Sequence, residues 1–385
     1  MTHRPRVMII AGEASGDMHG ARLVRSMIRR QPETVFFGIG GHEMEKAGVR
    51  ILFDAARLSV VGITEAFAKL GTLLKGISTA KRALREKQPD LLILIDFPDF
   101  NLHIAGTAKK LNVPVLYYIS PQIWAWRSNR VKKIKKRVDH MAVIFPFEQS
   151  FYEAYDVPVT FVGHPLMDAK VKVPSCEEGG VNIPSQTTIA LLPGSRHKEV
   201  AMHLPVMIES AKLLKKRNPY LRFIISCAAS VDVTSLNEIV GRYADTLQFE
   251  IVGSGIEKVL QRSTMAIAVS GTVTLQAAIG LVPMVIIYKV SPFSYFLGKR
   301  LIKVEHIGLI NMIGSRRIVP ELVQDDASPV NISGHVHQLL NESGRIENMR
   351  RNIAAARDKL GGPGASDRVA DIAMKFLNTE KAHVT

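Results

Sequence analysis

The stretch TIALLPGSRHKEV (188–200) decides the fold. Thr188 to Leu192 is a short apolar run of the kind that forms a strand buried on both faces. It stops at Pro193-Gly194-Ser195, a tight turn. Arg196, His197 and Lys198 follow at once, at the start of a helix-like stretch. A core strand that opens into a turn displaying basic side chains at a helix start is suited to hold an anion.

The same pattern recurs outward in both directions. Apolar runs at 7–11, 35–39, 91–95, 115–119, 141–145 and 159–162 precede it. The runs 189–192, 222–226, 249–252, 266–269 and 284–287 make up the second set. Segments of helical spacing, such as 21–30 and 204–217, lie between them. This alternation predicts parallel sheets in doubly wound α/β domains. At 385 residues the chain is longer than one core usually serves, so two domains are expected. The Pro-, Gly- and Ser-bearing stretch KVKVPSCEEGGVNIPSQ (170–186) reads as their connection. We therefore expect a Rossmann-like domain over 1–168, a linker over 169–185, a second such domain over 186–345 and a tail over 346–385. The tail reads as two helices, 347–360 and 366–377, separated by GGPGAS. Two such halves facing a cleft suit enzymes that use nucleotide sugars.

Composition narrows the partners without choosing one. The chain is 46% hydrophobic and 22% charged, with a formal net charge of +15. That excess implies attraction to nucleic acid, anionic lipid or a phosphorylated small molecule. The two cysteines, Cys176 and Cys227, fit no metal or redox spacing and suit a reducing compartment. The N-terminal apolar run is too short for a signal-peptide core and reads as a first strand. No charge occurs from Ser263 to Tyr288, a length that could cross a bilayer at about 20 residues. Its Ser270, Thr272, Thr274, Gln276 and Pro283 make strand, loop, buried helix and strand the better reading.

Several motifs could carry chemistry. In AGEASGD (11–17) the strand ends at Ala11 and a helix is expected near His19. Small residues there admit a ligand to the backbone, and Glu13 and Asp17 suit sugar hydroxyls better than phosphate. A helix cap by Ser15 or Asp17 is the plain alternative. In LILIDFPDFN (92–101), Asp96 closes a strand where doubly wound folds bind ligands. Beside Phe97 and Pro98 it could be a general base of raised pKa; Asp99 suits a helix cap. SPQIWAWR (120–127) holds both tryptophans and leads into seven basic residues among the eleven from Arg127 to Arg137. Nucleic acid, a solvated helix face and anionic headgroups all fit that run. Ile63, Phe67, Leu70, Leu74 and Ile77 form one helical stripe, either core-facing or docking on a membrane; 292–304 repeats the theme. AVSGTVTLQAAIG puts Ser270, Gly271 and Thr272 at a second strand-to-helix turn, so one domain holds two anion-suited turns. No metal motif is present, and no catalytic metal or cofactor is expected.

Read together, GEASGD (12–17), GITE (62–65), IDFPDFN (95–101), SPQIWAWR (120–127), FPFE (145–148), GHPL (163–166), LLPGSR (191–196), SGT (270–272) and LIN (309–311) resemble the lipid-A-disaccharide synthases, in order through nearly the whole chain. The resemblance implies a GT-B glycosyltransferase of two Rossmann-like domains. It implies an inverting transfer from UDP-2,3-diacylglucosamine to 2,3-diacylglucosamine 1-phosphate, giving the β-1,6 disaccharide and UDP. The implied setting is the cytoplasmic face of a Gram-negative inner membrane, with peripheral contact to an anionic surface. No nucleic acid is implied, and a homodimer is left open. By the same resemblance Asp96 is the base and Arg196 steadies UDP with the turns at Gly194-Ser195 and Ser270-Gly271-Thr272. Glu13, Ser15, Gly16 and Asp17 meet sugar or acceptor, and Asn311 meets the diphosphate or uridine. The stripe from Ile63 to Ile77 meets acyl chains, and Glu321 is a lesser correspondence. Gln276 stands where the family usually has a glutamate for the ribose and loses a charge-assisted bond. Another UDP-sugar transferase, a nucleic-acid binder and an inactive membrane scaffold are the competing readings.

Overall fold

The computed structural model describes residues 4–57, 66–125, 128–168, 187–243, 247–253, 255–291, 295 and 305–379, with no side chain described for 57, 66–70, 128 and 379. The chain divides into two compact units, Met1–Asp168 with Leu360–Thr385, and Ala169–Lys359.

The first unit is built on β1 (Arg6–Ala11), β2 (Val35–Gly40), β3 (Arg50–Asp54), β4 (Leu91–Ile95), β5 (Val115–Tyr118), β6 (His140–Val143) and β7 (Val159–Phe161). They form one parallel sheet in the order β3-β2-β1-β4-β5-β6-β7. The central strand β4 reads LLILI and is buried at every position, as a strand covered on both faces must be. The helices are α1 (Ala14–Arg30), α2 (His42–Lys46), α3 (Ala66–Lys87), α4 (Pro98–Lys110), α5 (Val131–Arg137) and α6 (Pro146–Glu153). Leu84, Phe100, Ile104 and Ile134 from these helices join Met8, Ile10, Leu92 and Leu94 in one core cluster. Proline opens α4 and α6 at a first-turn position, where its missing N–H costs nothing.

The second unit holds β8 (Thr188–Leu192), β9 (Arg222–Cys227), β10 (Glu250–Gly253), β11 (Met265–Val269), β12 (Met284–Tyr288) and β13 (Glu321–Val323), in the order β10-β9-β8-β11-β12-β13. Its helices are α7 (His197–Arg217), α8 (Val233–Gly241), α9 (Ile256–Gln261), α10 (Thr272–Ile279), α11 (Leu309–Gly314), α12 (Pro329–Asn341) and α13 (Arg345–Asp358). The uncharged run 263–288 is β11, α10 and β12. Among the described residues no helix is long and apolar enough to cross a membrane.

Three expectations change. The edge strands β3 and β13 carry too little continuous apolar sequence to stand out: β3 is only partly covered, and β13 is three residues long and opens with Glu321. Helix α1 begins at Ala14 rather than near His19. The tail does not act as one piece: α13 belongs to the second unit, while α14 (Ala365–Thr379) belongs to the first. Asp168 accepts the Gly364 and Ala365 N–H groups at 2.6 and 3.3 Å, and Arg30 bonds Asp371 and Asp367 on α14. Such long-range bonds leave no periodic trace in sequence.

Both sheets place their first strand beside their fourth, so the winding reverses between β1 and β4 and between β8 and β11. Ligands of doubly wound folds bind beyond the carboxyl ends of strands at such points.

Candidate active site

At the reversal in the first unit, the chain leaving β1 meets the chain leaving β4. Gly12 lies against the Phe97 ring so closely that a Cβ there would fall 2.3 Å from it. Asp96 and Phe97 both take the left-handed conformation, with φ of 46° and 49°. Non-glycine residues avoid that region, and such strain persists only where neighbours enforce it. Asn101 and Tyr117, both fully buried, do so: each donates to the Asp96 carbonyl at 2.6 Å, and Asn101 also reaches the Ile95 carbonyl at 3.1 Å. The kink turns the Asp96 carboxyl into a poorly hydrated place. Burial, with the Glu13 charge adding to it, raises the carboxyl to about 6, against the pull of the Phe97 N–H. A carboxylate so poised can accept a proton near neutral pH. Asn101 and Tyr117 were not singled out from sequence, although Asn101 ends the motif IDFPDFN.

Glu13 and Ser15 are exposed at this turn, and Gly16 is buried against Ala11 and Ile95. Asp17 is not available to a ligand as expected. Its carboxylate accepts the N–H groups of Gly41, Glu43 and Met44 at 2.7, 2.9 and 3.1 Å. It caps α2, a different helix from the one it sits on, and its acceptor positions are largely filled.

In the second unit the two turns foreseen from sequence follow β8 and β11, which are hydrogen-bonded neighbours. Gly194 has φ of 108°, and a Cβ there would lie 2.6 Å from Glu199 Oε2. The Glu199 carboxylate accepts the Ser195 N–H at 3.2 Å and pairs with Arg196 at 2.9 Å. An acidic side chain of the chain itself thus sits at the turn. Arg196 is 73% exposed at its side chain, and such surface pairs are weak and readily exchanged. Gly271 and Thr272 are exposed at the start of α10, Gln276 is half-buried on it, and Ser270 donates to the Ile307 carbonyl at 3.0 Å.

Asn311 is placed differently from expectation. It is fully buried; its Oδ1 accepts the Ile318 and Val319 N–H groups at 2.7 and 2.9 Å. Its Nδ2 donates to the Val319 carbonyl and to Glu321 at 2.9 and 2.7 Å. All four hydrogen-bonding positions of the amide are used, so none remains for a diphosphate. Glu321 also accepts the Ile307 and Gly308 N–H groups at 3.0 and 2.9 Å. The pair pins the 307–308 loop to which Ser270 is tied. His203, missed in the sequence, braces the same sheet edge: its Nε2 accepts the Lys289 N–H and its Nδ1 meets the Glu199 carbonyl.

The model of one protein family, lipid-A-disaccharide synthetase, matches residues 7–374. The chain belongs to the lipid-A-disaccharide synthetase family. Among curated relatives it is 46% identical to the lipid-A-disaccharide synthase of Geobacter metallireducens, over 98% of each chain. It is 42% identical to that of Syntrophus aciditrophicus, over 96% of this chain and 97% of that one. Among solved structures, the UDP-GlcNAc 2-epimerase from Neisseria meningitidis bound to UDP-GlcNAc superposes with a TM-score of 0.64 at 13% identity, covering 96% of this chain and 100% of that chain. The calicheamicin glycosyltransferase CalG4 gives 0.59 at 16% identity, over 98% and 99%. These two likenesses show the fold: two parallel-sheet Rossmann-like domains of the GT-B kind.

Within this family member the remaining motifs sort by environment. Of the stripe, Ile63 lies outside the described residues, as do the side chains of Phe67 and Leu70. Ile77 packs on the first unit's core, while Leu74 is 55% exposed. The stripe therefore does not present one face at its described end. In the basic run, Val131 and Ile134 face inward and Lys132, Lys133, Lys135 and Lys136 face solvent. Arg137 is spent on the Leu102 carbonyl at 2.8 Å. Of 292–304 only Tyr295 is described, and it is exposed.

Proposed function

We propose that the chain is an inverting glycosyltransferase that joins UDP-2,3-diacylglucosamine to 2,3-diacylglucosamine 1-phosphate, releasing UDP. The observation that carries this reading is the Asp96 carboxyl, held at the carboxyl end of β4 by a strained kink and raised to about 6. Inversion needs a base that takes the proton of the acceptor 6-hydroxyl as its oxygen attacks the anomeric carbon. Asp96 fills that role, with the Glu13 charge acting on it. The leaving diphosphate develops charge, which Arg196 and the N-terminal turns of α7 and α10 would stabilise. For this, Arg196 exchanges Glu199 for a phosphate oxygen. The names of the relatives support the substrates, and the epimerase complex supports a UDP-sugar on this fold. Leu74 and the lysines of α5 suit peripheral contact with an anionic bilayer.

The test is incubation with both lipid sugars in detergent, with chelator present, and detection of disaccharide and UDP. Arg196→Ala is expected to lower kcat by about 10²-fold, with the acceptor KM nearly unchanged. Turnover that requires added metal would overturn the mechanism.

The pH profile checks the base. A carboxyl accepts a proton only when ionised, so kcat/KM falls as pH drops through about 6. Glu13→Gln removes a neighbouring negative charge, and the acid limb then moves to lower pH. A limb that stays in place would assign it to another group.

A further inference from the structure

Two of the motifs, SPQIWAWR (120–127) and FPFE (145–148), have no part in the chemistry above, yet the fold joins them. Glu148 is 1% exposed. Its Oε2 accepts the Ile144 and Phe145 N–H groups at 3.2 and 3.0 Å, which closes the first turn of α6. Capping explains that oxygen alone. The other, Oε1, accepts the indole N–H of Trp124 at 3.0 Å, from a segment between β5 and α5. Burial raises this carboxyl to about 7 in spite of its donors. A buried carboxylate is a costly way to cap a helix, since an exposed serine or asparagine would serve.

The Trp124 ring is half-buried. Phe147 meets it edge-on with centroids 4.9 Å apart, and Phe145 stacks on Phe147 at 5.4 Å. The segment is fastened elsewhere too. Ser120 bonds the Tyr152 hydroxyl at 2.7 Å, and Arg130 bonds Asp99 at 2.5 Å in the first turn of α4. Asp99 lies three residues beyond Asp96. Because β4, β5 and β6 are parallel neighbours, the chain leaving each lies at one carboxyl edge. The Trp124 platform and the Asp96 kink therefore share that edge of the first unit.

We propose that Glu148 is a positioning residue that fixes Trp124 as the platform for the acceptor's sugar ring, at the edge where Asp96 sits. The C–H face of a pyranose packs on an indole face held rigid from behind. This rests on the glycosyl-transfer reading above.

Glu148→Gln keeps the size but offers one acceptor oxygen where two are used, so the indole or the turn is left facing an NH2 group. The acceptor KM is expected to rise about 10-fold, the equivalent of one lost hydrogen bond, with the donor KM unchanged. Trp124→Leu is expected to match it, and the double variant to be no worse than Trp124→Leu alone. In a Trp126→Phe chain, where Trp124 is the remaining indole, Glu148→Gln shifts emission to the red. Quenching of that emission by 2,3-diacylglucosamine 1-phosphate in micelles needs no turnover. Quenching without turnover would sink the transfer reading while still placing the lipid sugar on Trp124. A fall in Tm with the acceptor KM unchanged, a Trp124→Leu chain of normal acceptor KM, or emission unmoved by the lipid would overturn it.

Discussion

Asp96→Asn is expected to lose turnover by about 10³-fold and to gain stability at pH 8. The two effects have one cause. In the folded chain the carboxyl is raised from 3.8 to about 6, mainly by burial and next by Glu13. Between those values the folded state binds more protons than the unfolded state, so stability falls as pH rises through that window. At pH 8 the full penalty is present. A shift of that size corresponds to at most about 3 kcal/mol, and asparagine, which carries no charge, removes it. Asparagine also tolerates the left-handed backbone that Asp96 adopts. The carbonyl bonds from Asn101 and Tyr117 are to the backbone and survive the change. Thermal unfolding at pH 8 and pH 4 checks the sign, since the gain should shrink at the lower pH. A variant that keeps a tenth of its turnover would place the base elsewhere.

Asn311→Ala is expected to destabilise the second unit by about 3–5 kcal/mol, in the range for breaking a buried polar network. The Ile318 and Val319 N–H groups lose their acceptor, and the buried Glu321 loses a donor. Each unpartnered buried group costs about 1–3 kcal/mol. UDP affinity falls as a consequence, because Glu321 and Asn311 hold the loop to which Ser270 is tied. Urea unfolding followed together with UDP titration separates this from direct contact. Normal stability with lost UDP binding would make Asn311 a ligand contact after all.

These two residues show how far sequence reaches. Asp96 stands out because five apolar residues, Leu91 to Ile95, precede it, and that run alone marks the carboxyl end of a buried strand. Arg196 and the Ser270-Gly271-Thr272 turn stand out for the same reason. Asn311 and Asp17 lie in equally recognisable motifs, yet their side chains are spent inside the protein. A motif gives the residue type and its place along the chain; it does not give the partner of each polar atom. Asp17 caps a helix 25 residues on, and Glu148 reaches back to an indole in another segment.

The amino-acid sequence by itself determined the α/β class, the alternation that builds two parallel sheets and the turns that open at their carboxyl ends. Hydrophobic periodicity and turn chemistry are local, and a linear reading captures them. The tertiary structure alone decided that the last helix joins the first unit, that Asn101 and Tyr117 hold Asp96 in its strained pose, and that Asn311 and Asp17 are structural. Those outcomes depend on burial and on which polar atoms meet once the sheets have formed, and a linear reading specifies neither.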